Sequence, residues 1–461
     1  MNQVSILILT YNNLDYNIRC IESIRKYTKE GSYEIVIIDN GSTDGTREWL
    51  MQQDDIKLVF PDQNTGFPKG CNLGISAAKK ENDILLLNND IVVTPRWLDN
   101  LKLCLYSNET IGAVGPITNF AWNNQSIDIP YKSINDMIKF SESINNSDKT
   151  KWEPKAKLVG FCLLIKREVL NIVGLLDERF SPGNYEDDDW CVRITEAGYR
   201  LFVCNDCFIH HYGNTTFKKE PEKYKNIMRT NAQKFEQKWG FAGSLTETIN
   251  SEIISLIIEP REKAMNILEI GCNRATTLLR LKYLYPNAQL FGVETNKNID
   301  RIISNLITNS TKEIEDFPLE FVNSFFDYII LGDYLQYSKN PTNLLKELKK
   351  YLKPGAYIIA TMPNLTHYSV IRDLLKGNFR YTSNGIINKN DNNFFTYNDI
   401  KIMAKECGYK PPYITYGYNT RSADDELFLN NICTLAGEDM RWHFVYYKYI
   451  TKFQNQLYTI N

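Results

Sequence analysis

Two carboxylates in the first hundred residues stand at the ends of apolar runs. Asp39 ends the run Ile35 to Ile38, and Asp90 ends the segment LLLNND. Short apolar runs rich in β-branched residues are typical of buried strands, so both acids are predicted at the carboxyl end of a strand. In open α/β sheets that edge binds ligands. The alternative for Asp39 is a structural role, in which its carboxylate caps the turn that follows.

A second acidic feature is the run Glu186 to Asp189, between FSPGNY and WCVRITEAGY. Adjacent carboxylates repel one another and usually form a solvated turn. This run opens a predicted helix, where the helix dipole favours negative charge. Its placement is equally compatible with helix capping and with acid–base chemistry.

The elements that position these acids follow a strand-then-helix rhythm. Strands are predicted for VSILIL, EIVIID, IKLVF and DILLLNND, and helices for YNIRCIESIRKYT, for the segment from Ser42 through REWLMQQ, and for GCNLGISAAKK. This alternation predicts an α/β fold with a largely parallel sheet. Thr10, Tyr11 and Asn12 then lie at the same edge as Asp39 and Asp90.

Length and composition restrict the function classes. At 461 residues the chain predicts at least two domains. A net charge of −2 argues against nucleic acid as a partner. No apolar run approaches the ~20 residues of a membrane span, and the N-terminus lacks a signal-peptide pattern, so we expect a cytoplasmic protein, with peripheral membrane contact left open. Among ten cysteines, Cys204 and Cys207 form a CxxC pair without a second pair, which disfavours metal or redox use.

The segments ILTYNN, VIIDNGSTDGT, NTGFPKGCNLGI, LLLNND, GFCLLIKREVLNIVGLLDERF, YEDDDWCVRITEAGYRLFVC and HHYGNTTF occur in this order between residue 4 and about 217. Together they resemble the family 2 inverting glycosyltransferases with the GT-A fold. Within that family the segments are similar to bacterial rhamnosyltransferases. The resemblance implies a nucleotide-diphosphate sugar donor and a glycan, glycolipid or glycoprotein acceptor.

The resemblance also implies site residues for the donor. Nucleotide-sugar binding is expected at Thr10, Tyr11, Asn12, Asp39, Lys69, Gly70, Asn72 and Asn89. Glycines such as Gly66 and Gly70 would let the backbone approach the ligand, although a flexible loop and a merely solvated Lys69 remain the alternatives.

A divalent ion, Mn²⁺ or Mg²⁺, is implied at Asp90, which matches the last acid of the family's aspartate-x-aspartate element. The first acid of that element is Asn88 in this chain, so the ion has fewer protein carboxylates. The family's late histidine matches His211, with His210 as the alternative.

For catalysis the resemblance implies that Asp187 is the general base, with its pKa raised by a neighbouring acid. Glu186 belongs to the same catalytic pair. Asp189 and Gly160 are expected to contact the acceptor.

A boundary is predicted near residue 245, followed by a linker at 246–264, a second domain at 265–415 and a C-terminal extension at 416–461 that packs on the second domain or an interface. MNILEIGCNRATTLLRLKYLYPNAQLFGVETN and FFDYIILGDYLQYSKNP restart the strand–helix pattern. These segments resemble the Rossmann-like class I S-adenosylmethionine-dependent methyltransferases. The resemblance implies cofactor binding at Glu269, Gly271, Glu294 and Asp333.

The second domain departs from that family at three places. Asn273 and Ala275 replace glycines of the cofactor loop, and Leu335-Gln336-Tyr337 replaces LEH. The segment Asn388 to Asp391 replaces DRTH, which changes a plausible base, with Asp391 as a possible substitute.

The combined expectation is a bifunctional, metal-dependent enzyme that adds a sugar, rhamnose by resemblance, to a bacterial surface or flagellar glycan and then O-methylates it. One alternative is a glycosyltransferase whose second domain is a catalytically inactive binding or oligomerisation module. Another is a noncatalytic carbohydrate-binding protein, which requires the acids at 90 and 187 to face away from the cleft of the first domain.

Overall fold

The computed structural model describes residues 2–121, 125–213, 221–246, 248–307, 310–311, 319, 321–382, 385–417 and 420–456. The chain divides into two compact units. The first is Met1–Thr248 with Asn273–Tyr283 and Arg301–Leu306, and the second is Ile249–Cys272, Leu284–Asp300 and Ile307–Asn461. Within the described ranges, no helix has the length and apolar character needed to cross a bilayer.

The first unit is built on a nine-stranded mixed sheet. Its strands are β1 (Val4–Thr10), β2 (Tyr33–Asp39), β3 (Ile56–Val59), β4 (Asp83–Asn88), β5 (Ile91–Val92), β6 (Ile111–Thr118), β7 (Trp152–Lys155), β8 (Cys162–Ile165) and β9 (Arg200–His211). They are ordered β3-β2-β1-β4-β8-β6-β9-β5, and β7 pairs with β9.

The helices around this sheet begin and end as follows: α1 (Leu14–Tyr27), α2 (Thr46–Leu50), α3 (Phe67–Ala77), α4 (Trp97–Leu105), α5 (Ile134–Ile144), α6 (Arg167–Val173), α7 (Glu186–Glu196) and α8 (Pro221–Trp239). The sheet packs between two apolar clusters, and strands β1, β2, β4 and β8 are buried along most of their length.

The register of the parallel strands brings Thr10, Asp39 and Asn88 to one edge of the sheet. Thr10 pairs with Asp39 across β1 and β2, and Leu9 pairs with Asn88 across β1 and β4. The predicted strands β1 to β4 are present in the structure. The parallel arrangement is limited to β3-β2-β1-β4, since β8 runs antiparallel to both β4 and β6.

The helix predicted from Ser42 begins later, at Thr46. The intervening residues are held in a loop by Asp44, whose carboxylate accepts hydrogen bonds from the backbone N–H groups of Leu14 (3.0 Å) and Thr46 (3.2 Å). Such side-chain-to-backbone bonds compete with helical hydrogen bonding, so the helix starts only after Asp44.

The second unit contains a seven-stranded sheet. Its strands are β10 (Asn266–Ile270), β11 (Gln289–Val293), β12 (Ser310–Thr311), β13 (Phe326–Gly332), β14 (Leu352–Pro363), β15 (Tyr413–Gly417) and β16 (Lys448–Gln454). They are ordered β12-β11-β10-β13-β14-β16-β15, with the first five parallel and β16 antiparallel to both neighbours.

The helices in the rest of the chain are α9 (Ser251–Ser255), α10 (Thr276–Leu284), α11 (Lys297–Ile303), α12 (Tyr334–Tyr337), α13 (Pro341–Lys349), α14 (Tyr368–Leu375), α15 (Tyr397–Glu406), α16 (Ala423–Ala436) and α17 (Arg441–Val445).

The C-terminal residues are part of the second sheet. Strand β16 inserts between β14 and β15, and its Tyr449 and Phe453 are fully buried in the core. Residues 416–461 were predicted to be an extension packed on the second domain or an interface. Within this segment, Lys448–Gln454 forms a strand of the second sheet, held there by two strand ladders and two buried aromatic side chains.

Candidate functional site

The side chains of Thr10 and Asn89 hold the end of β1 in place. The Thr10 hydroxyl donates to Asn17 Oδ1 at 2.7 Å, and the Asn89 amide donates to the same oxygen at 2.9 Å. Thr10 is buried, and Asn12 Oδ1 accepts the backbone N–H of Thr43 at 2.8 Å. The Thr10 hydroxyl is thus used inside the protein, and nucleotide binding at Thr10 stays a prediction.

One carboxylate oxygen of Asp39 caps the turn, and the other has unused acceptor capacity. Its Oδ1 accepts the backbone N–H of Ser42 at 2.9 Å, which caps the turn, and its Oδ2 lies 3.6 Å from Arg47 Nε. Within the described residues Oδ2 has no hydrogen-bond partner. Tyr11, beside it at the sheet edge, is 44% exposed. A buried carboxylate oxygen with unused acceptor capacity next to an exposed aromatic ring fits the ribose or base of a nucleotide.

Gly70 and Asn72, in the segment from Gly66 to Asn72, pack against other parts of the protein. A Cβ added to Gly70 would lie 2.4 Å from Leu9 Cδ1, so this glycine permits close helix–strand packing. The Asn72 amide donates to the carbonyl of Leu176 at 2.9 Å, and Asn72 is buried. Gly70 and Asn72 therefore have packing and hydrogen-bonding roles within the protein, and their contact with the nucleotide sugar stays a prediction.

A Cβ added to Gly66 would meet the Pro182 backbone at 3.0 Å, so this glycine too allows protein segments to approach each other. Lys69 is exposed.

Asp90 and His211 form the centre of the predicted metal site. His211 Nε2 lies 3.2 Å from Asp90 Oδ1. The other ring nitrogen, Nδ1, lies 2.7 Å from the carbonyl oxygen of Phe120. Because a carbonyl only accepts, Nδ1 carries a proton, and Nε2 is the ring nitrogen that faces Asp90.

Backbone contacts and stacking hold this pair together. Strand β5 follows Asp90 directly, and its Ile91 pairs with His211 on β9. The Phe161 ring stacks on the His211 ring with centroids 5.4 Å apart. A carboxylate oxygen and an oriented imidazole nitrogen are a suitable pair of ligands for Mn²⁺ or Mg²⁺. Across the described residues no cluster of three or more His, Cys, Asp or Glu side chains is placed to hold a metal. Oxygens of the diphosphate of the nucleotide sugar would therefore have to complete the coordination.

His210 points to a different environment. Its Nδ1 lies 2.7 Å from the Tyr131 hydroxyl, and burial lowers the pKa of His210 to about 4. The structure thus places His211, rather than His210, beside Asp90. The segment Asn214 to Phe217, which completed the motif in the sequence, lies outside the described residues.

The acidic run forms the first turn of α7 as expected. Asp187 is only partly buried. Its Oδ2 accepts the backbone N–H of Gly160 at 2.9 Å, and its Oδ1 accepts that of Asp188 at 3.0 Å. A Cβ added to Gly160 would lie 3.3 Å from Asp187 Cβ, so glycine lets the two segments approach. Gly160 is thus a neighbour of the predicted base.

The other acids of the run are buried. Asp189 is fully buried, and its carboxylate binds Arg193 Nε at 2.8 Å, Lys238 Nζ at 2.5 Å and Trp239 Nε1 at 2.9 Å. The Asp189 carboxylate thus ties α7 to α8 inside the core, and its predicted contact with the acceptor stays untested.

Glu186 is also buried, with 6% of its surface exposed. Burial, followed by repulsion from Asp187, raises the pKa of its carboxyl well above the usual value. The raised pKa expected from like-charge repulsion therefore appears at Glu186. Its carboxyl lies beneath the surface that Asp187 occupies.

In the second unit the parallel register again gathers the predicted residues. Ile270 pairs with Val293, and Glu269 pairs with Ile330. Gly271, Glu294 and Asp333, which follow β10, β11 and β13, consequently share one edge of the sheet. Glu294 and Glu269 are both buried.

The loop after β10 keeps a glycine-like backbone. Gly271 has φ +70°, and the two residues that replace glycines, Asn273 and Ala275, have φ +46° and +59°. A positive φ at alanine is unfavourable by roughly 1 kcal/mol, so the surrounding structure imposes this shape.

Several residues that shape the first site come from distant segments of the chain, and the sequence around most of them does not indicate this role. Asn17, Phe120 and Phe161 support the first site, although each comes from a different part of the chain. Only the polar character of Asn17, inside an otherwise amphipathic helix on its buried side, could have marked it.

Comparisons with known proteins match the two halves of the chain to two different families. Residues 5–172 match the family model "Glycosyl transferase family 2", and residues 244–411 match the model "Methyltransferase domain".

Relatives of the first half include glycosyltransferase AglE of Haloferax volcanii, which is 27% identical over 209 residues, 44% of this chain and 64% of AglE. Glycosyltransferase GlyG of Streptococcus pneumoniae is 24% identical, covering 55% of this chain and 81% of GlyG. The dTDP-rhamnosyl transferase RfbF of Shigella flexneri is 23% identical, covering 46% and 70%.

Among solved structures, the mannosyltransferase PcManGT of Pyrobaculum calidifontis, in complex with GDP-Man and Mn²⁺, is 16% identical with a TM-score of 0.39, covering 66% of this chain and 74% of that one. A SAM-dependent methyltransferase from Archaeoglobus fulgidus is 17% identical with a TM-score of 0.34, covering 48% and 98%. The chain spans 64% of the length of AglE. By the two family models, residues 5–172 belong to glycosyl transferase family 2 and residues 244–411 to a methyltransferase domain family.

Proposed function

We propose that the first domain transfers a sugar from a nucleotide-diphosphate sugar to a glycan hydroxyl with inversion at the anomeric carbon. One observation carries this proposal. Gly160 donates its backbone N–H to the Asp187 carboxylate, and the next residue, Phe161, stacks on His211 beside Asp90. Two consecutive residues therefore contact the candidate base and a candidate metal ligand. This connects the group that would activate the acceptor with the groups that would hold the metal at the diphosphate.

Each part has a chemical task. Asp187 takes the proton of the acceptor hydroxyl while that oxygen bonds to the anomeric carbon and the bond from this carbon to the diphosphate breaks. A divalent cation held by Asp90 and His211 would offset the charge on the departing diphosphate. The unused oxygen of Asp39 accepts a hydrogen bond from the nucleotide.

Rhamnose, from a dTDP donor, is our candidate sugar, because RfbF is a dTDP-rhamnosyl transferase and shares 23% identity over 215 residues. The acceptor would then be a bacterial surface or flagellar glycan, carried on a lipid or a protein.

A thermal-shift screen tests the first activity. The full chain is melted with UDP-, GDP- and dTDP-linked sugars, each with Mn²⁺ and with EDTA. We expect one donor to raise the melting temperature in Mn²⁺ only, because a ligand that binds the folded state at 100 times its Kd stabilises it by about 2.7 kcal/mol. No shift with any donor at millimolar concentration would contradict the proposal.

For the second domain we propose methyl transfer from S-adenosylmethionine to a glycan hydroxyl. The supporting observation is the left-handed backbone at Gly271, on the edge of the sheet that also carries Glu294 and Asp333. A buried acid after the second strand suits the ribose hydroxyls of the cofactor. The alternative remains an inactive module that binds or oligomerises.

Calorimetry with S-adenosylhomocysteine decides between these alternatives. We expect the wild-type chain to bind, and Glu294→Ala to weaken binding by about 1.5–3 kcal/mol, the usual value of a hydrogen bond to a charged group. Glu406→Ala, at an exposed position of α15, should bind like wild type. Sugar transfer should continue in both variants. A wild-type chain that does not bind at millimolar concentration would favour the inactive module.

A further inference from the structure

The loop at residues 388–393 is fastened to helix α12 in the second unit. The backbone N–H groups of Asn392 and Asn393 both donate to the Gln336 carbonyl, at 2.8 and 3.0 Å. Their side-chain amides donate to the carbonyls of Tyr337 at 2.7 Å and Ser338 at 2.6 Å. These four hydrogen bonds saturate the end of a one-turn helix and hold the preceding residue, Asp391, in a defined place.

Helix α12 begins at the cofactor edge of the sheet. It follows Asp333 directly, and the Tyr334 ring lies 3.5 Å from the position that a Cβ on Gly271 would occupy. The loop that carries Asp391 is therefore fastened to the helix that adjoins the cofactor loop. Each of the two consecutive asparagines supplies one backbone donor and one side-chain donor to these hydrogen bonds.

Asp391 itself is buried, with 8% of its surface exposed. In the described part of the chain neither carboxylate oxygen has a hydrogen-bond partner, and the same holds for Oε1 of Gln336. The Gln336 side chain and the backbone of Asn388 lie near enough to favour the charged form of Asp391, but without standard hydrogen-bond geometry. Burying a carboxylate without partners is costly, and such a cost is typical of functional sites.

We propose that Asp391 is the proton acceptor for methyl transfer in the second domain, with a sugar hydroxyl as its substrate group. This inference rests on the proposed methyltransferase function. It assigns a base to a domain in which the segment Asn388 to Asp391 replaces the DRTH of the family.

The electrostatic surroundings suit this role. Burial raises the pKa of Asp391 above its usual value, and the Asp333 carboxylate adds to the effect. Burial raises the pKa of Tyr337 as well, and the charges of Asp333 and Asp391 add to the effect. A carboxylate with a raised pKa is a stronger base than an exposed one, and Tyr337 stays protonated as a hydrogen-bond donor.

The reaction balances with these groups alone and the cofactor. The sugar oxygen forms a bond to the methyl carbon while the bond from that carbon to the sulfonium sulfur breaks. The hydroxyl proton passes to Asp391, and the products are a methyl ether, a neutral thioether and a protonated carboxyl. The positive charge of the sulfonium is cancelled by the loss of the negative charge on Asp391.

The test compares two ligands that differ in charge. S-adenosylmethionine carries a sulfonium cation, and S-adenosylhomocysteine does not. A carboxylate that faces the reacting sulfur attracts only the first. We expect Asp391→Asn in the full chain to weaken S-adenosylmethionine binding by about tenfold in calorimetry and to leave S-adenosylhomocysteine binding unchanged. Asp373→Asn, an exposed carboxylate at α14, should change neither.

Turnover provides the second measurement. With methyl α-rhamnoside and related methyl glycosides as probe acceptors, methyl transfer by Asp391→Asn should fall about 100-fold or more. Asp391→Ser repeats the binding comparison in case the asparagine variant does not fold. Equal effects on both ligands, or no effect on either, would overturn the assignment of Asp391 while the methyltransferase function stands. Failure of the wild-type chain to bind either ligand would overturn the function and the assignment together.

Discussion

Replacing Asp187 with asparagine should lower the rate of sugar transfer by about 100-fold or more. The amide keeps the shape of the carboxylate, but it cannot take the proton of the attacking hydroxyl. Donor affinity should survive, because Asp187 contacts the backbone N–H groups of Gly160 and Asp188 rather than the nucleotide edge. Steady-state kinetics for turnover and the donor thermal shift for binding measure the two quantities separately.

A matched control is Asp99→Asn, which makes the same chemical change at an exposed position of α4. It should leave turnover and donor binding at wild-type values. An Asp187→Asn enzyme that lost donor binding and turnover together would show that Asp187 has a structural role, as the purely capping interpretation of the acidic run predicts.

Replacing Asp90 with asparagine should weaken Mn²⁺-dependent binding of the nucleotide diphosphate by at least ~10-fold. The substitution removes a negative ligand but conserves volume at a buried position. His211→Ala should have a similar effect, because its Nε2 lies 3.2 Å from the same carboxylate oxygen. Titration calorimetry with the nucleoside diphosphate, with and without Mn²⁺, measures the metal-dependent part directly.

His210→Ala is the matched control for the histidine. His210 bonds to Tyr131 instead of facing Asp90, so its replacement should leave the ratio of the affinities with and without Mn²⁺ unchanged. Wild-type affinity in the Asp90→Asn variant, with its full response to Mn²⁺, would refute the metal assignment. Loss of the response in His210→Ala but not in His211→Ala would exchange the roles of the two histidines.

Sequence reasoning was most successful where the signal is local. The apolar runs that end at Asp39 and Asp90 predicted strands β2 and β4, and the parallel pairing then required Thr10, Asp39 and Asn88 to share an edge. The acidic run predicted the start of α7 for the same reason, since a helix N-terminus favours anions within one turn. The two domain families could likewise be identified from ordered motifs, and the family models confirm them.

Sequence reasoning was least informative where a polar residue could bind either a ligand or another part of the protein. Asn72 and Asp189 have the side chains of ligand-binding residues, yet Asn72 binds the backbone at Leu176 and Asp189 binds Lys238 and Trp239. Sequence spacing does not reveal these partners, because they lie on segments that are far away in the chain. The same holds for the C-terminal strand, which joins the sheet between strands β14 and β15.

The sequence by itself determined which elements form and which chemical groups end each strand, because both depend on residues within a few positions of one another. Only the tertiary structure decided which groups face a cleft. It placed His211 beside Asp90, directed Asp189 into the core, and brought Asp391 to the helix that adjoins the cofactor loop. The reason is that the cost of burying a polar group depends on partners contributed by distant segments, and folding brings those segments together.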